Sequence, residues 1–213
     1  STNWKTIKNS REYWNKQENV IAAGSYATQK EKDEVIVKEK NGIKYGLLAY
    51  TTLTNGLTMP KDKRFYLNVY SDALAKKDIE ALRDKVDVLI VSMHWGIEYS
   101  HGVSPEQKAI AKYLSSLGVD IIIGTHPHVV EPIEYINNAL VLYSLGNFVS
   151  SQIGNEKLTG LVAAVDITKT TIDGKSVVKL SNTKADLVYT CKPNTCGKGK
   201  YKVYPYNKLN DSL

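Results

Sequence analysis

"VDVLIVSMH" at residues 86–94 and "VDIIIGTHPH" at residues 119–128 decide how this chain folds. Each begins Val-Asp, runs through apolar and β-branched side chains, and ends on histidine. Runs of this length and composition suit strands buried on both faces. Between them lies "SPEQKAIAKYLSSLG" (104–118), which carries helix start and stop signals. Ser104 stands at the N-cap, Pro105 at the first helical position, and Gln107 completes a Ser-x-x-Gln capping box. Gly118 ends the helix. Ala109, Ile110, Tyr113, Leu114 and Leu117 are the expected buried stripe. Strand–helix–strand in this order predicts a right-handed parallel crossover, and so an α/β fold.

Upstream, residues 3–17 read as a helix carrying Trp4, Ile7, Tyr13 and Trp14, and "NVIAAGS" (19–25) as a short strand. "EVIVKEKNGIKYGLLAYTT" (34–52) reads as a hairpin turning at Asn41-Gly42, the pair best suited to a type I′ turn. "TNGLTMPKDKRF" (54–65) has the turn residues of an exposed loop, and a helix over about 71–85 should bury Leu74, Ile79 and Leu82. Downstream the pattern turns antiparallel. Asn137-Asn138 and Asp173-Gly174 each sit between two apolar runs, as hairpin turns do. With no internal repeat or clear linker, residues 1–213 read as a single unit.

The chain has 213 residues, 42% hydrophobic and 23% charged, which excludes disorder. No apolar run reaches the roughly eighteen residues that a membrane helix needs. The net charge of +6 would favour anionic partners, although scattered lysines making a solvated surface account for most of it. Lysines alternate with tyrosines in "CKPNTCGKGKYKVYPYNK" (191–208), but there is no nucleic-acid recognition motif and arginine is scarce, so nucleic acid is not expected. Cys191 and Cys196 flank a Pro-Asn turn and are expected to form a disulfide, which implies an oxidising compartment. A zinc half-site is the rival reading.

All four histidines fall at 94, 101, 126 and 128. Ligands of open α/β sheets bind at the carboxyl ends of parallel strands. The two opening runs would deliver His94, His126 and His128 to such an edge, with Pro127 holding the backbone extended between the last two. Imidazole suits several metals, so the sequence does not choose one. The alternative is that these histidines cap strands without holding metal. His101 sits in a polar loop and reads as solvent-exposed or as a supporting residue. Glu98 could orient a ring or move a proton; an ordinary loop ion pair is its other reading. Asn147 follows the run "ALVLYSL" (139–145) and either points into the same edge or closes a turn.

"MHWGIEY" (93–99), "GTHPHV" (124–129) and "YSLGNF" (143–148), in that order, resemble the CapA/PgsA family of bacterial capsule and poly-γ-glutamate biosynthesis proteins. That family is related to the calcineurin-like metallophosphoesterases, and the likeness runs from "NVIAAGS" to the closing "YKVYPYNKL" (201–209). The resemblance implies a β-sandwich core flanked by helices, with antiparallel hairpins in the C-terminal part. It also implies a dinuclear site for divalent ions (Mn, Zn or Fe), with His94, His126 and His128 as ligands. Glu98 and Asn147, read from their own positions and not from the resemblance, are the candidate proton-transfer residue and substrate contact.

The chain departs from that pattern. It has no Asn-His pair and no histidine before residue 94, whereas such proteins place further acidic and Asn-His ligands upstream. The expectation is therefore a C-terminal portion of a longer protein, incomplete at the N-terminus, that holds metal weakly or not at all by itself and either exposes a sheet edge or associates through it. Three functions follow from the resemblance. One is an extracytoplasmic part of polymer assembly at the outer face of the bacterial membrane, working with membrane-bound synthase components and in contact with the anionic polymer. The others are a metal-dependent phosphoesterase and a scaffold with a vestigial site.

Overall fold

The computed structural model describes residues 4–56 and 59–209. These fall into two compact units. The first comprises residues 1–95, 112–122 and 137–139, and the second residues 96–111, 123–136 and 140–213.

The first unit opens with α1 (Trp4–Trp14) and a short α2 (Gln29–Asp33). Helix α1 is shorter than its 3–17 pattern suggested, and Asn3 lies outside the described residues. Among its side chains from residue 5 onward, the buried one is not aromatic. Tyr13 and Trp14 are exposed while Arg11 is buried. Arg11 donates to the Ala22 carbonyl, pairs with Glu31 at 3.4 Å and lies over the Tyr26 ring at 5.6 Å.

The segment 20–23 is not the strand its apolar residues suggested. Gly24 turns the chain at φ 79, and a Cβ there would stand 2.7 Å from the Ala49 carbonyl oxygen. The backbone around it bonds singly instead: Asn68 N donates to Gly24 O at 2.8 Å and Tyr26 N to Tyr66 O at 3.1 Å.

β1 (Lys38–Lys40) and β2 (Ile43–Thr51) form the expected hairpin, with Asn41 at φ 54 and Gly42 at φ 76. Its first arm is only three residues, so Glu34–Val37 stay outside the ladder. Lys38, Glu39 and Lys40 are all exposed, and a short, charged edge resists pairing with another chain. The loop that follows is less open than its composition implied. Lys61–Tyr66 form a 3₁₀ turn that buries Tyr66, while Leu57 and Thr58 lie outside the described residues.

α3 (Asp72–Leu82) buries Ala75, Ile79 and Leu82, whereas Leu74, whose backbone N–H bonds the Ser71 N-cap in the first turn, is only half-buried. β3 (Val88–His94) pairs parallel to β2, from Tyr45 with Val88 to Thr51 with His94. The order in this unit is β1-β2-β3-β4, of which Ile121 and Ile122 of β4 (Ile121–Thr125) belong here. Asp120 closes the entry to β4: its Oδ2 accepts from Arg83 Nη1 at 2.6 Å and from Leu89 N at 2.7 Å.

α4 (Pro105–Ser116) begins in the second unit with both arms of the capping box made. Gln107 N donates to Ser104 Oγ at 3.2 Å, and Ser104 N to Gln107 Oε1 at 2.8 Å. Its buried face is Gln107, Ile110, Ala111, Leu114 and Ser115, while Ala109 is exposed. The i, i+3, i+4, i+7, i+8 spacing is intact but rotated relative to the apolar count, because the capping glutamine itself faces inward.

In the second unit β4 is followed, in sheet order, by β6 (Ala139–Leu142) and β5 (Ile133–Ile136), joined at Asn137-Asn138 with φ 48 and 70. A separate three-stranded sheet, β7-β8-β9, is built on the long antiparallel pair β7 (Thr159–Ile172) and β8 (Lys175–Cys191), turning at Asp173-Gly174, with β9 (Lys202–Pro205) on its far side. A bulge between Ala164 and Asp166 is held by Asn182, at φ 51, whose amide donates to Asp166 Oδ2 at 2.7 Å. The α/β class and the antiparallel hairpins are as the sequence predicts. No helix among the described residues is long and apolar enough to cross a membrane.

Candidate functional site

His94 closes β3 in the first unit, and its ring orientation follows from one hydroxyl. Thr51 Oγ1 lies 2.8 Å from His94 Nδ1 and donates to the Leu53 carbonyl at 2.6 Å. A carbonyl only accepts and a threonine hydroxyl has a single proton. The Nδ1 of His94 must therefore carry its own proton and donate it, which puts the ring's lone pair on Nε2.

Glu98, His126, His128 and Asn147 all lie in the second unit. The loop "THPH" is not the extended segment expected from Pro127. His126 and His128 adopt φ 102 and 62, a region that costs non-glycine residues about 1–3 kcal/mol each and that gathers at functional sites. Tyr99 shares the strain at φ 66, and its backbone N–H bonds the Pro127 carbonyl at 2.7 Å, so two strained loops hold each other. The His126 and His128 rings stand 6.2 Å apart, both half-buried.

Asn147 sets the His128 ring. Its Nδ2 faces the carbonyls of His128 (3.2 Å) and Lys157 (3.0 Å) and Gln152 Oε1 (3.0 Å), so the amide orientation is fixed by acceptors. Its Oδ1 is then the atom 2.9 Å from His128 Nδ1, which must be the donor. His128 presents the same tautomer as His94, with the lone pair on Nε2. An imidazole whose Nδ1–H is held by an oxygen is the usual preparation for Nε2 ligation. Asn147 thus serves the site by orienting a ring as well as by closing a turn. It is itself placed by close backbone contact, since Gly146 at φ 64 and Gly160 bridge one another, and a Cβ on Gly160 would stand 2.4 Å from the Asn147 carbonyl oxygen.

Burial holds the His126 imidazolium below its ordinary pKa. The Glu98 carboxylate acts in the opposite direction, and His128 adds to the lowering. Glu98 is exposed but near enough to exert this field. His101 is exposed, with Nδ1 2.8 Å from the Val130 carbonyl, and stands outside the ring pair. Cys191 and Cys196 are disulfide-bonded, and there is no free cysteine among the described residues. The half-site reading of that pair is thereby set aside.

Four contributors escaped the sequence reading: Thr51, Tyr99, Gln152 and Lys157. Tyr99 stacks on His128 with centroids 6.0 Å apart, Lys157 Nζ lies 4.7 Å from the Tyr99 centroid, and Gln152 Nε2 reaches the Tyr99 hydroxyl at 3.4 Å. None of them stands in a spacing that betrays a role, and only the turn composition around Tyr99 hinted at special backbone. The first unit also holds a cavity of about 350 Å³ between β2 and α3, which none of the predicted site residues lines. At its rim burial raises the Asp78 carboxyl and lowers the Lys32 ammonium, and Tyr50 donates to Asp78 at 3.0 Å.

Among the described residues no group of three or more histidine, cysteine or acidic side chains is arranged to hold a metal ion. The tautomers of His94 in the first unit and of His128 in the second each suit ligation chemically, but neither ring stands in a ligand set among the described residues.

Residues 2–152 match the profile of the bacterial capsule synthesis protein family PGA_cap. The match contains His94, Glu98, His126, His128 and Asn147 but ends before the β7–β9 sheet and the disulfide, and short of the "YKVYPYNKL" to which the sequence likeness was extended. The chain is 32% identical over 147 residues to the PGA biosynthesis protein CapA of Bacillus subtilis, covering 64% of this chain and 36% of that protein. It is 32% identical over 141 residues to the capsule biosynthesis protein CapA of Bacillus anthracis, covering 64% of this chain and 34% of that protein. The matched region is thus about a third of the length of these relatives.

Proposed function

The chain belongs to the PGA_cap family of bacterial capsule synthesis proteins, and on that premise we propose that it works in making poly-γ-glutamate capsule, as an extracytoplasmic component beside a membrane-bound synthase. The family match over residues 2–152 is the observation that carries this. The names of the two Bacillus relatives support it. The Cys191–Cys196 bond supports an oxidising compartment, and the +6 charge supports contact with an anionic polymer.

His126 and His128 are proposed as metal-ligating imidazoles of the second unit, and His94, by its own motif and tautomer, as one of the first, each for a divalent ion (Mn, Zn or Fe). A bound cation would supply Lewis-acid polarisation of a phosphoryl or carbonyl oxygen. The chain's own part is to present Nε2 of His128, hold that ring through Asn147, and carry a proton on Glu98 beside His126. A metal-dependent hydrolase is the second reading, favoured by the two fixed tautomers.

The test is deletion of the gene in its own bacterium, followed by complementation. Surface polyglutamate should vanish and return with the wild-type gene; unchanged polymer after deletion overturns the capsule reading. Complementation by a variant with His94, His126 and His128 all changed to alanine should fail. Full rescue by it would leave the scaffold function and remove the metal site.

A further inference from the structure

We infer that Lys157, carried on the ring of Tyr99 beside His128, is the anion-recognising residue of this site and takes an oxyanion of the ligand, a carboxylate or a phosphate. The inference rests on the imidazole site proposed above and names the chemistry that the site selects.

The arrangement lies wholly within the second unit. Tyr99 is pinned at three points: its backbone N–H to Pro127 O, its ring face to His128 at an interplanar angle of 26°, and its hydroxyl to Gln152. Lys157 is pinned at its carbonyl by Asn147, the residue that orients His128. One amide therefore fixes both the imidazole and the origin of the lysine side chain. The ammonium then rests 4.7 Å from the Tyr99 centroid, within cation–π range.

A lysine placed only to brace the loop would have its donors spent on carbonyls or a buried carboxylate. The carboxylate that pairs with Lys157 is Glu156, its chain neighbour, at 3.6 Å, with 46% of that side chain exposed. The lysine side chain itself is 24% exposed, and one carboxylate at this distance leaves ammonium N–H groups for a further acceptor. The ring face holds the cation without consuming its N–H groups, of which an ammonium has three. The same stretch of chain exposes Phe148, Val149 and Ile153, at 60%, 57% and 83%, which is an unusual apolar display for a surface loop.

The experiment is calorimetric titration of this chain at low salt with two probes, a γ-linked glutamate oligomer and inorganic phosphate. Lys157→Gln removes the charge and keeps a polar side chain, one atom shorter. Lys179→Gln, on the exposed β7–β8 hairpin, makes the same change in net charge elsewhere. Lys157→Gln should weaken binding about tenfold relative to Lys179→Gln, and Lys157→Arg should restore most of it. Tyr99→Leu, which takes away the ring and leaves the lysine, should also weaken binding. Equal effects of Lys157→Gln and Lys179→Gln overturn the inference, as does absence of binding by the wild type to both probes. A Lys157 effect with the oligomer alone assigns a carboxylate, and one with phosphate alone a phosphoryl group. Loss of surface polymer on gene deletion combined with equal lysine variants would sink this inference and leave the capsule function standing. A Lys157 effect combined with unchanged polymer would do the reverse.

Discussion

Asn147 Oδ1 accepts the Nδ1–H of His128 at 2.9 Å, while Asn147 Nδ2 donates back to the His128 carbonyl at 3.2 Å. The side chain thus clamps ring and backbone of one residue. Asn147→Ala removes both bonds together with those to Gln152 and the Lys157 carbonyl, and leaves half-buried acceptors without their donor. It should cost about 1–3 kcal/mol in urea unfolding. Long-range ¹⁵N–¹H spectra should show wild-type His128 protonated on Nδ1 and a mixed tautomer in the variant. A fixed Nδ1–H in Asn147→Ala would mean that something else orients the ring.

Gly160 allows the close approach on which that clamp depends. An added methyl would meet the Asn147 carbonyl oxygen at 2.4 Å, its carbon at 2.8 Å and Phe148 Cα at 3.3 Å, all of them backbone. Backbone cannot rotate aside as a side chain can. Gly160→Ala should therefore destabilise by about 1–3 kcal/mol and disturb the His128 tautomer signal along with stability. Loss of stability with an unchanged His128 spectrum would separate the bridge from the site.

The parts legible in the sequence were those governed by local rules. The Ser104–Gln107 capping box, the Asn41-Gly42 turn and the Asp173-Gly174 turn each need only a few adjacent residues, and each formed as read. What escaped was decided by contacts distant in sequence. Arg11 outranks Tyr13 and Trp14 as the buried residue of α1 because Ala22, Tyr26 and Glu31 surround it. Val20–Ala23 look like a strand, but Gly24 pressing on Ala49 breaks the ladder. Among the candidate residues, His94, His126, His128 and Asn147 could be picked out as residue types near strand ends. Thr51 and Lys157 could not, because 43 residues separate Thr51 from His94 and the Lys157 carbonyl reaches Asn147 across ten.

The disulfide offers a modest, calculable contribution. Cys191 and Cys196 are five residues apart, and the chain-entropy relation for so small a loop gives about 2 kcal/mol. Thr195 N and Gly197 N already bond the Lys192 carbonyl at 3.1 and 2.9 Å, so part of the turn persists without the bond. Replacing both cysteines by serine should lower the unfolding free energy from urea titration by no more than that figure, with the slope unchanged. A larger loss or a changed slope would show that the bond organises the end of β8 as well as the turn.

Glu131 gives the clearest pH signature. Its side chain is only 2% exposed, Oε2 accepts from Gln107 Nε2 at 2.7 Å, and Oε1 is buried without a hydrogen-bond partner. Burial raises its pKa above the ordinary carboxylate value, against smaller lowering effects from Gln107 and the charge of His101. The sign follows directly. Between the unfolded and folded pKa values the folded chain binds more protons, so stability falls as pH rises from the ordinary value of 4.5 through the folded value. Glu131→Gln keeps an oxygen acceptor for Gln107 and cannot ionise. In thermal melts from pH 4 to pH 8 the variant should match the wild type at the acid end and exceed it progressively toward the alkaline end. A difference that stays constant across that range would mean that Glu131 is already ionised at pH 4 in the folded protein, with Oε1 satisfied by water.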